Sequence, residues 1–493
     1  MNIIVVNRYG LALTLLVISF LSFQINLFRV MPQSRFEAFE LVSDALVLDG
    51  IVHHRFAPYN GMGMYERPSP DPSSLLDEQL HIDTLQDNRA FYPYRSQFGL
   101  QYYAFNFLHT GCGLSVWQLE ATASFLMALI VAGYFVALRR VLPTPAAVGF
   151  CLTLALSPWV VCFARNLFWV EASWFLPCLV SLLIGDRRPT RANCFSLASF
   201  LFLVTLIKCL CGYDFISTVC LSAIVPLVYY QSKSRFSTRE IVRQLAVAGG
   251  AMFFAFAFAM GLHITLLSHR VAPMPNTANR GPVESANTDT SGLGVIVQAF
   301  EKRFYSKDPD KTSREVCAMG PPENYDDCVM VYKRSLQSSV FRVVARYLVA
   351  TDMVPWVSGN GLNASDKSIL TSSFLSIKAK HLSEAFRRME SLHESGFASL
   401  IRYCVSPALF LVLIALVGRV IYLRKARWEL AWVGVAFIAP ISWYAAAKGY
   451  SQIHTHLCLV LWYLPFVPAS IALLLSEYWP MILGRSRSGS KLK

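Results

Sequence analysis

Residues 115–140 read SVWQLEATASFLMALIVAGYFVALRR, and this stretch decides the fold class. Its apolar centre is about 20 residues long, the length of helix that crosses a bilayer core of about 30 Å. Glu120 is the one acid in the stretch, and the pair Arg139-Arg140 ends it. Such a stretch is typical of a membrane-spanning helix with a cytoplasmic end.

Similar apolar stretches recur along the 493 residues, of which 54% are hydrophobic and 15% charged. A soluble protein would carry roughly 25% charged residues, so this composition excludes a cytosolic enzyme, a disulfide-rich secreted domain and a disordered tail. The pattern predicts an all-α polytopic membrane protein. We expect about ten spans, at 9–29, 115–138, 144–163, 167–184, 194–209, 214–231, 243–267, 399–422, 429–447 and 457–477. The first lacks a small-residue cleavage site, so we interpret it as an uncleaved helix.

Lys and Arg in short loops orient these spans, because such residues favour the cytoplasmic side. With the N-terminus inside, the inner segments hold Arg8, Arg139, Arg140, Arg187, Arg188, Arg191, Lys233, Arg235, Arg239, Arg243, Arg424, Lys425, Arg427, Arg485, Arg487, Lys491 and Lys493. The formal net charge of the chain is +13, and these segments account for all of it. We therefore expect cytoplasmic termini in a bacterial inner membrane and no nucleic-acid partner.

This topology leaves two large loops outside, at 30–114 and 268–398. It divides the chain into an N-terminal transmembrane module (1–267), a helical outer-loop domain (268–398) and a C-terminal transmembrane module with a basic tail (399–493). Helical patterns with mixed apolar and charged faces occur in the second loop at 293–306, 329–350 and 367–397. Cys317 and Cys328 bracket a polar segment there, and an oxidising compartment favours a disulfide between them.

Polar residues at membrane depth are costly, so they mark candidate functional sites. Three predicted outer turns carry such residues: Arg165, Asn166 and Glu171 in ARNLFWVE, Lys208 and Asp214 in KCLCGYD, and Lys448, His454 and His456 in AKGYSQIHTH. Because each turn holds a cation on the same side, we predict one outward-facing cavity that binds a phosphate or pyrophosphate. Three alternatives stay open: Arg165 and Glu171 could form an interfacial ion pair, Lys208 could extend to the headgroups, and His454 and His456 could cap the start of a helix.

The first outer loop supplies acidic residues. Residues 34–55 predict one surface helix, on which Glu37, Glu40 and Asp44 share a face and Asp44 points outward. These acids are either a solvated helix face or a source of a general base, which would be Asp44 or Asp49. A short helix near 73–88 then leads to FYPYRSQFGLQYY, whose Tyr94, Arg95, Gln97 and Gln101 suit the binding of a sugar.

An N-terminal span, an acidic surface helix and an aromatic-Pro-Tyr re-entry into the second span resemble the C-type (GT-C) integral-membrane glycosyltransferases, which include protein mannosyltransferases and aminoarabinose transferases. The three turn sequences also resemble those of a group of bacterial polytopic membrane proteins. The resemblance covers mainly residues 1–230 and 445–466. It implies a polyprenyl-phosphate-linked sugar donor and a catalytic acid early in the loop helix, often as Asp-Glu, where this chain has Ser43-Asp44-Ala45.

The implied activity is inverting transfer of a sugar to a lipid, glycan or protein acceptor on the outer face of the membrane. Asp44 would take the acceptor proton, while Arg165, Lys208 and Lys448 would stabilise the departing lipid phosphate. No cofactor is required; a divalent metal ion, if one takes part, would be held by Asp44 with His53, His54, His454 and His456. Membrane lipids are the other expected partners. Three further functions stay open: a lipid-linked-glycan transporter or flippase, a glycan polymerase or ligase, and a non-catalytic assembly subunit.

Overall fold

The structure, a computed structural model, describes residues 8–31, 33–37, 39–56, 60–65, 79, 82, 90–233, 237–269, 308–317, 329–330, 333, 335–349, 407–424 and 427–482. The first five helices are α1 (Arg8–Ile25), α2 (Gln33–Glu37), α3 (Leu41–His54), α4 (Leu100–Asn106) and α5 (Val116–Leu138). A central group follows: α6 (Thr144–Ala155), α7 (Pro158–Ala164), α8 (Ala172–Ile184), α9 (Arg191–Cys211), α10 (Ile216–Lys233) and α11 (Thr238–His269).

The later helices are α12 (Pro309–Cys317), α13 (Val340–Val349), α14 (Pro407–Arg424), α15 (Arg427–Ala446), α16 (Lys448–Ile453), α17 (Thr455–Cys458) and α18 (Phe466–Ile482). Two short antiparallel strands, β1 (Gly63–Tyr65) and β2 (Phe91–Pro93), pair with Met64 opposite Tyr92. The all-helical class is therefore confirmed for the described part of the chain.

Each of the ten predicted spans has a helical counterpart, but fewer helices meet the length and composition of a membrane span. In the described residues four do so: Val116–Leu138, Arg191–Cys211, Thr238–Leu267 and Leu459–Trp479. A fifth is added if the bent pair α6 and α7 is one span, and the other apolar helices are shorter. Four to five candidate spans are thus established, together with an extensive apolar core between the helices.

The span predicted at 144–163 is not one straight helix. α6 and α7 meet at an angle of 64°. Ser157 explains the break, because its side chain accepts a hydrogen bond from the Val160 amide and caps the start of α7. Pro158 follows at the first helical position, where its missing N–H removes no helical hydrogen bond.

The single surface helix predicted at 34–55 is also wrong. Glu40 lies in the left-handed region with φ 54°, so the segment divides into α2 and α3. Glu37, Glu40 and Asp44 therefore do not share the face of one helix. Asp44 does not point outward either, because only 5% of its surface is exposed. α3 contacts β1 and α4, and it is buried along much of its length rather than lying on a surface.

The apolar helices pack against one another in a bundle. α10 packs on α15 and α8, α9 packs on α11, α1 packs on α5, and α6 packs on α18. The turns at 165–171, 212–215 and 447–454 lie at one end, which we name the polar end. The opposite end carries Arg139, Arg140, Arg187 and Arg188 and is named the basic end. The predicted helices at 293–306 and 367–397, most of that at 73–88, and Cys328 with its predicted disulfide lie outside the described residues.

Candidate functional site

The polar end brings the three predicted turns together around the side chain of Phe215. The ring centroid of Phe215 lies 5.9 Å from Trp169 in the first turn, 5.4 Å from Trp443 at the end of α15 and 6.4 Å from Tyr450 in α16. Phe215 is fully buried and has φ 64°, a conformation that costs energy for a residue other than glycine. The aromatic packing around it offsets that strain, so the turns converge as the sequence predicts.

Asp44 reaches this end from α3. Its Oδ1 atom accepts hydrogen bonds from the backbone amides of Leu167 at 2.7 Å and Phe168 at 3.2 Å. Burial raises the pKa of the Asp44 carboxyl well above its usual value, and the nearby Glu120 carboxylate raises it further, whereas the two amides and Arg165 oppose the shift. The carboxyl of Asp44 is therefore held against the first turn in a setting that favours its protonated form.

Arg165 is paired, but with a partner that the sequence did not suggest. Its Nη2 atom lies 3.3 Å from Oε1 of Glu120, and both side chains are 14% exposed. The guanidinium carbon also lies 4.6 Å from the ring centroid of Phe36 in α2. The ion pair left open with Glu171 is thus replaced by one with Glu120. The position of Glu120 inside an apolar span marks it as a candidate partner in the sequence, but that position does not decide between Glu120 and Glu171.

Lys208, Asp214 and Gln97 form a second polar group at this end. Lys208 is 2% exposed, and its Nζ donates to the Gly212 carbonyl at 2.6 Å, which caps the end of its own helix. A Cβ atom on Gly212 would lie 2.7 Å from Oε1 of Gln97 and 3.6 Å from Oδ2 of Asp214. The ammonium of Lys208 therefore lies inside the protein beside a carboxylate rather than at the headgroups.

The first loop connects these two groups through the segment that re-enters the bundle. Nε2 of Gln101 donates to the Phe168 carbonyl at 2.8 Å, and the Gly99 amide donates to the Leu210 carbonyl at 3.0 Å. The ring of Tyr94 makes an edge contact with Phe168 at 5.8 Å. The residues predicted to suit a sugar thus lie between the turn that holds Asp44 and the turn that holds Lys208.

Several buried polar side chains have atoms without a hydrogen-bond partner among the described residues, and Glu171 and Gln97 at the polar end are two of them. Both carboxylate oxygens of Glu171 lack one, although only 1% of the residue is exposed. Both polar atoms of the Gln97 amide lack one at 3% exposure. A buried polar group left unsatisfied costs about 1–3 kcal/mol, and a charged group costs more. Such groups are retained where a ligand or ordered water completes them.

The third turn is tied to the second loop. Nζ of Lys448 donates to the Ser338 carbonyl at 3.2 Å, which precedes α13. The Tyr347 ring of α13 stacks on Tyr444 at 3.9 Å, and its hydroxyl donates to the Ser451 carbonyl. His454 packs against Tyr450 at 4.4 Å. Lys448 and His454 therefore border the aromatic centre of the polar end, while the prediction for the His456 side chain lies outside what the structure describes.

Asp49 and His53 have structural partners. Oδ2 of Asp49 accepts the Tyr65 amide at 2.9 Å and so holds strand β1 against α3. The His53 ring stacks on Phe91 of β2 at 3.8 Å. No group of three or more His, Cys, Asp or Glu side chains suited to a metal ion occurs within the described residues. The described residues therefore provide no set of ligands for the divalent metal ion that the sequence left open.

Comparisons of the chain with protein-family models, with curated proteins and with solved structures find no match. The chemistry of the polar end is therefore inferred from its own residues.

Proposed function

We propose that the protein is a membrane glycosyltransferase that transfers a sugar from a polyprenyl-phosphate donor to a hydroxyl acceptor at the polar end. One observation carries the proposal. Glu171 and Gln97 are buried with polar atoms that the described residues leave unsatisfied. A carboxylate and an amide are the groups that bind sugar hydroxyls, because both accept hydrogen bonds and the amide also donates them.

The cations beside them suit the phosphate of the donor. Lys208 is buried within reach of the segment that holds Gln97, and Lys448 borders the same end from the third turn. Arg165 already has a carboxylate partner in Glu120, so its share of the phosphate charge is smaller than the sequence suggests. With the basic end inside, as the positive-inside rule predicts, the polar end faces outward and a lipid-linked phosphate reaches it from the bilayer.

The proposed reaction is a direct displacement at the anomeric carbon. The acceptor hydroxyl oxygen attacks the anomeric carbon while the bond from that carbon to the phosphate oxygen breaks. The lipid phosphate leaves with the bonding electron pair, and Lys208 and Lys448 stabilise its charge. Asp44 takes the proton of the acceptor hydroxyl from its ionised form, and the raised pKa makes that carboxylate a stronger base. Asp49 is the weaker candidate for this base, because its Oδ2 holds strand β1 through the Tyr65 amide, whereas Asp44 contacts the first turn of the polar end.

The test separates phosphate binding from sugar transfer. Lys208→Met keeps the side-chain length without the charge, and it should weaken binding of polyprenyl monophosphate in nanodiscs by about tenfold, as expected for one lost charge-assisted contact. Lys333→Met is the matched control, because Lys333 pairs with Asp310 in the second loop. Glu171→Gln should leave polyprenyl monophosphate binding unchanged yet lower transfer from polyprenyl-phosphate hexose donors.

Glu240→Gln is the control for that change, since Glu240 pairs with Arg188 at the basic end. Equal binding of polyprenyl monophosphate by the wild type, Lys208→Met and Lys333→Met would refute the phosphate site. Full transfer by Glu171→Gln would refute the sugar site.

A further inference from the structure

A cavity of about 270 Å³ lies toward the basic end and plays no part in the proposed transfer. It is enclosed by α5, α6, α8, α10, α15 and α18. Its walls include Leu138, Leu142, Cys178, Val225, Trp432 and Leu473. The cavity extends from the basic ends of these helices to about their middle, at Cys178 and Leu473, and its wall contains no residue of the three turns at the polar end.

The chemistry of this cavity is the opposite of that at the polar end. Three of its wall residues carry hydroxyls, and each hydroxyl donates a hydrogen bond to a backbone carbonyl. Tyr134 donates to Phe175 at 2.9 Å, Tyr229 to Val141 at 3.5 Å, and Ser476 to Leu473 at 2.8 Å. The remaining wall is mainly hydrocarbon, apart from the Cys178 thiol and the indole N–H of Trp432, which has no partner in the described structure. A cavity of this composition suits an apolar chain and offers little to water or a sugar.

Two arginines lie at its rim. Arg139 and Arg140 directly follow α5, and the structure anchors both guanidinium groups beside the walls. Nη1 of Arg139 donates to the carbonyl of the wall residue Leu142 at 3.4 Å. Nη1 of Arg140 donates at 3.4 Å to the carbonyl of Leu183, which follows the wall residue Leu182. Arg140 is exposed, so its other guanidinium nitrogens can meet a ligand from the solvent side.

An apolar cavity beneath paired cations matches an amphiphile with an apolar chain and an anionic head. Guanidinium groups bind phosphate oxygens through two parallel N–H donors, and basic residues at a membrane surface attract anionic lipids. We propose that this cavity holds one acyl chain of an anionic phospholipid, whose headgroup phosphate is bound by Arg139 and Arg140. The site is independent of the proposed glycosyl transfer, because it shares no residue with the polar end.

The experiment measures lipid retention by native mass spectrometry. The full chain is reconstituted in nanodiscs of phosphatidylglycerol or of phosphatidylcholine and then returned to detergent. The wild type should retain one phosphatidylglycerol molecule and about tenfold less phosphatidylcholine, in keeping with a charge-assisted phosphate contact. Arg139→Gln with Arg140→Gln should remove this preference between the two lipids.

Leu142→Trp should fill the mouth of the cavity and lower retention of phosphatidylglycerol by about tenfold, since the apolar chain loses its burial. Leu129→Trp is the control, because Leu129 lies on the neighbouring helix α5, is 43% exposed and does not line the cavity. Ala469→Phe fills the cavity from α18 and replaces Leu142→Trp if that variant fails to fold. Wild-type retention in Leu142→Trp and Ala469→Phe would overturn the chain site. Equal retention of the two lipids by the wild type would overturn the headgroup site.

Discussion

Replacing Asp44 with alanine or with asparagine separates its structural role from its proposed chemical role. In the alanine variant the buried Leu167 amide loses the acceptor that lies 2.7 Å away. An unsatisfied buried amide costs about 1–3 kcal/mol. The Phe168 amide also loses Asp44 but keeps Oδ1 of Asn166 at 3.0 Å, so its loss is nearer about 1 kcal/mol. Asp44→Ala should therefore lower the free energy of unfolding by about 2–4 kcal/mol.

Asp44→Asn should cost less than about 1 kcal/mol, because the amide oxygen still accepts both backbone N–H groups. The two variants also differ from the wild type in pH dependence. Burial raises the pKa of Asp44 in the folded state well above its usual value, so folding favours the protonated form. The stability that this provides is fully present below the unfolded pKa and is lost as the pH rises through the folded pKa.

Asparagine does not ionise, so Asp44→Asn should remove that decline with pH. The assay is equilibrium unfolding in detergent micelles with increasing denaturant, repeated from pH 4 upward. If Asp44→Ala and Asp44→Asn have the same stability, the Asp44 carboxyl is not holding the 165–168 turn. If the wild type and Asp44→Asn decline in parallel with pH, the buried protonated form is not populated.

Three further predictions concern other parts of the chain. On a cysteine-depleted background, a membrane-impermeant maleimide added to intact cells should label a cysteine at 287 and not one at 187, and the reverse pattern would refute the orientation. Cys317 and Cys328 should react with maleimide only after reduction, so equal reactivity before and after reduction would refute their disulfide. Gly212→Ala should disturb the side chain of Gln97, because the added Cβ lies 2.7 Å from its Oε1, and lower sugar transfer with little change in stability; unchanged transfer would show that the position of Gln97 is unimportant.

Much of the architecture was predictable because the apolar stretches are long and clearly bounded. Every predicted span contains a helix, although four to five meet the length and composition required of a membrane span. The bend between α6 and α7 could also have been found, since a serine followed by proline is a recognisable helix start. The division at Glu40 could not, because a glutamate rarely adopts positive φ and only the surrounding packing holds it there.

The convergence of the three turns was predictable because all three lie on the same side of the predicted topology. The ion pairs that their charged residues form were not predictable. Which acid neutralises Arg165 depends on how α5 packs against the first turn, and Glu120 and Glu171 were equally available in sequence. The unsatisfied state of Glu171 and Gln97 is likewise a tertiary property. Residue type marks both as polar, but only the packing around them shows that their polar atoms have no partner in the described structure.

The most direct test of the central claim measures release of polyprenyl phosphate from polyprenyl-phosphate-sugar donors, using a panel of sugars and purified protein in nanodiscs. The account predicts that the wild type releases polyprenyl phosphate with at least one donor when a hydroxyl acceptor is present. Asp44→Asn, which keeps the two backbone hydrogen bonds, should remain folded and release none above background. Absence of release by the wild type with every donor, or wild-type release by Asp44→Asn, would contradict the account.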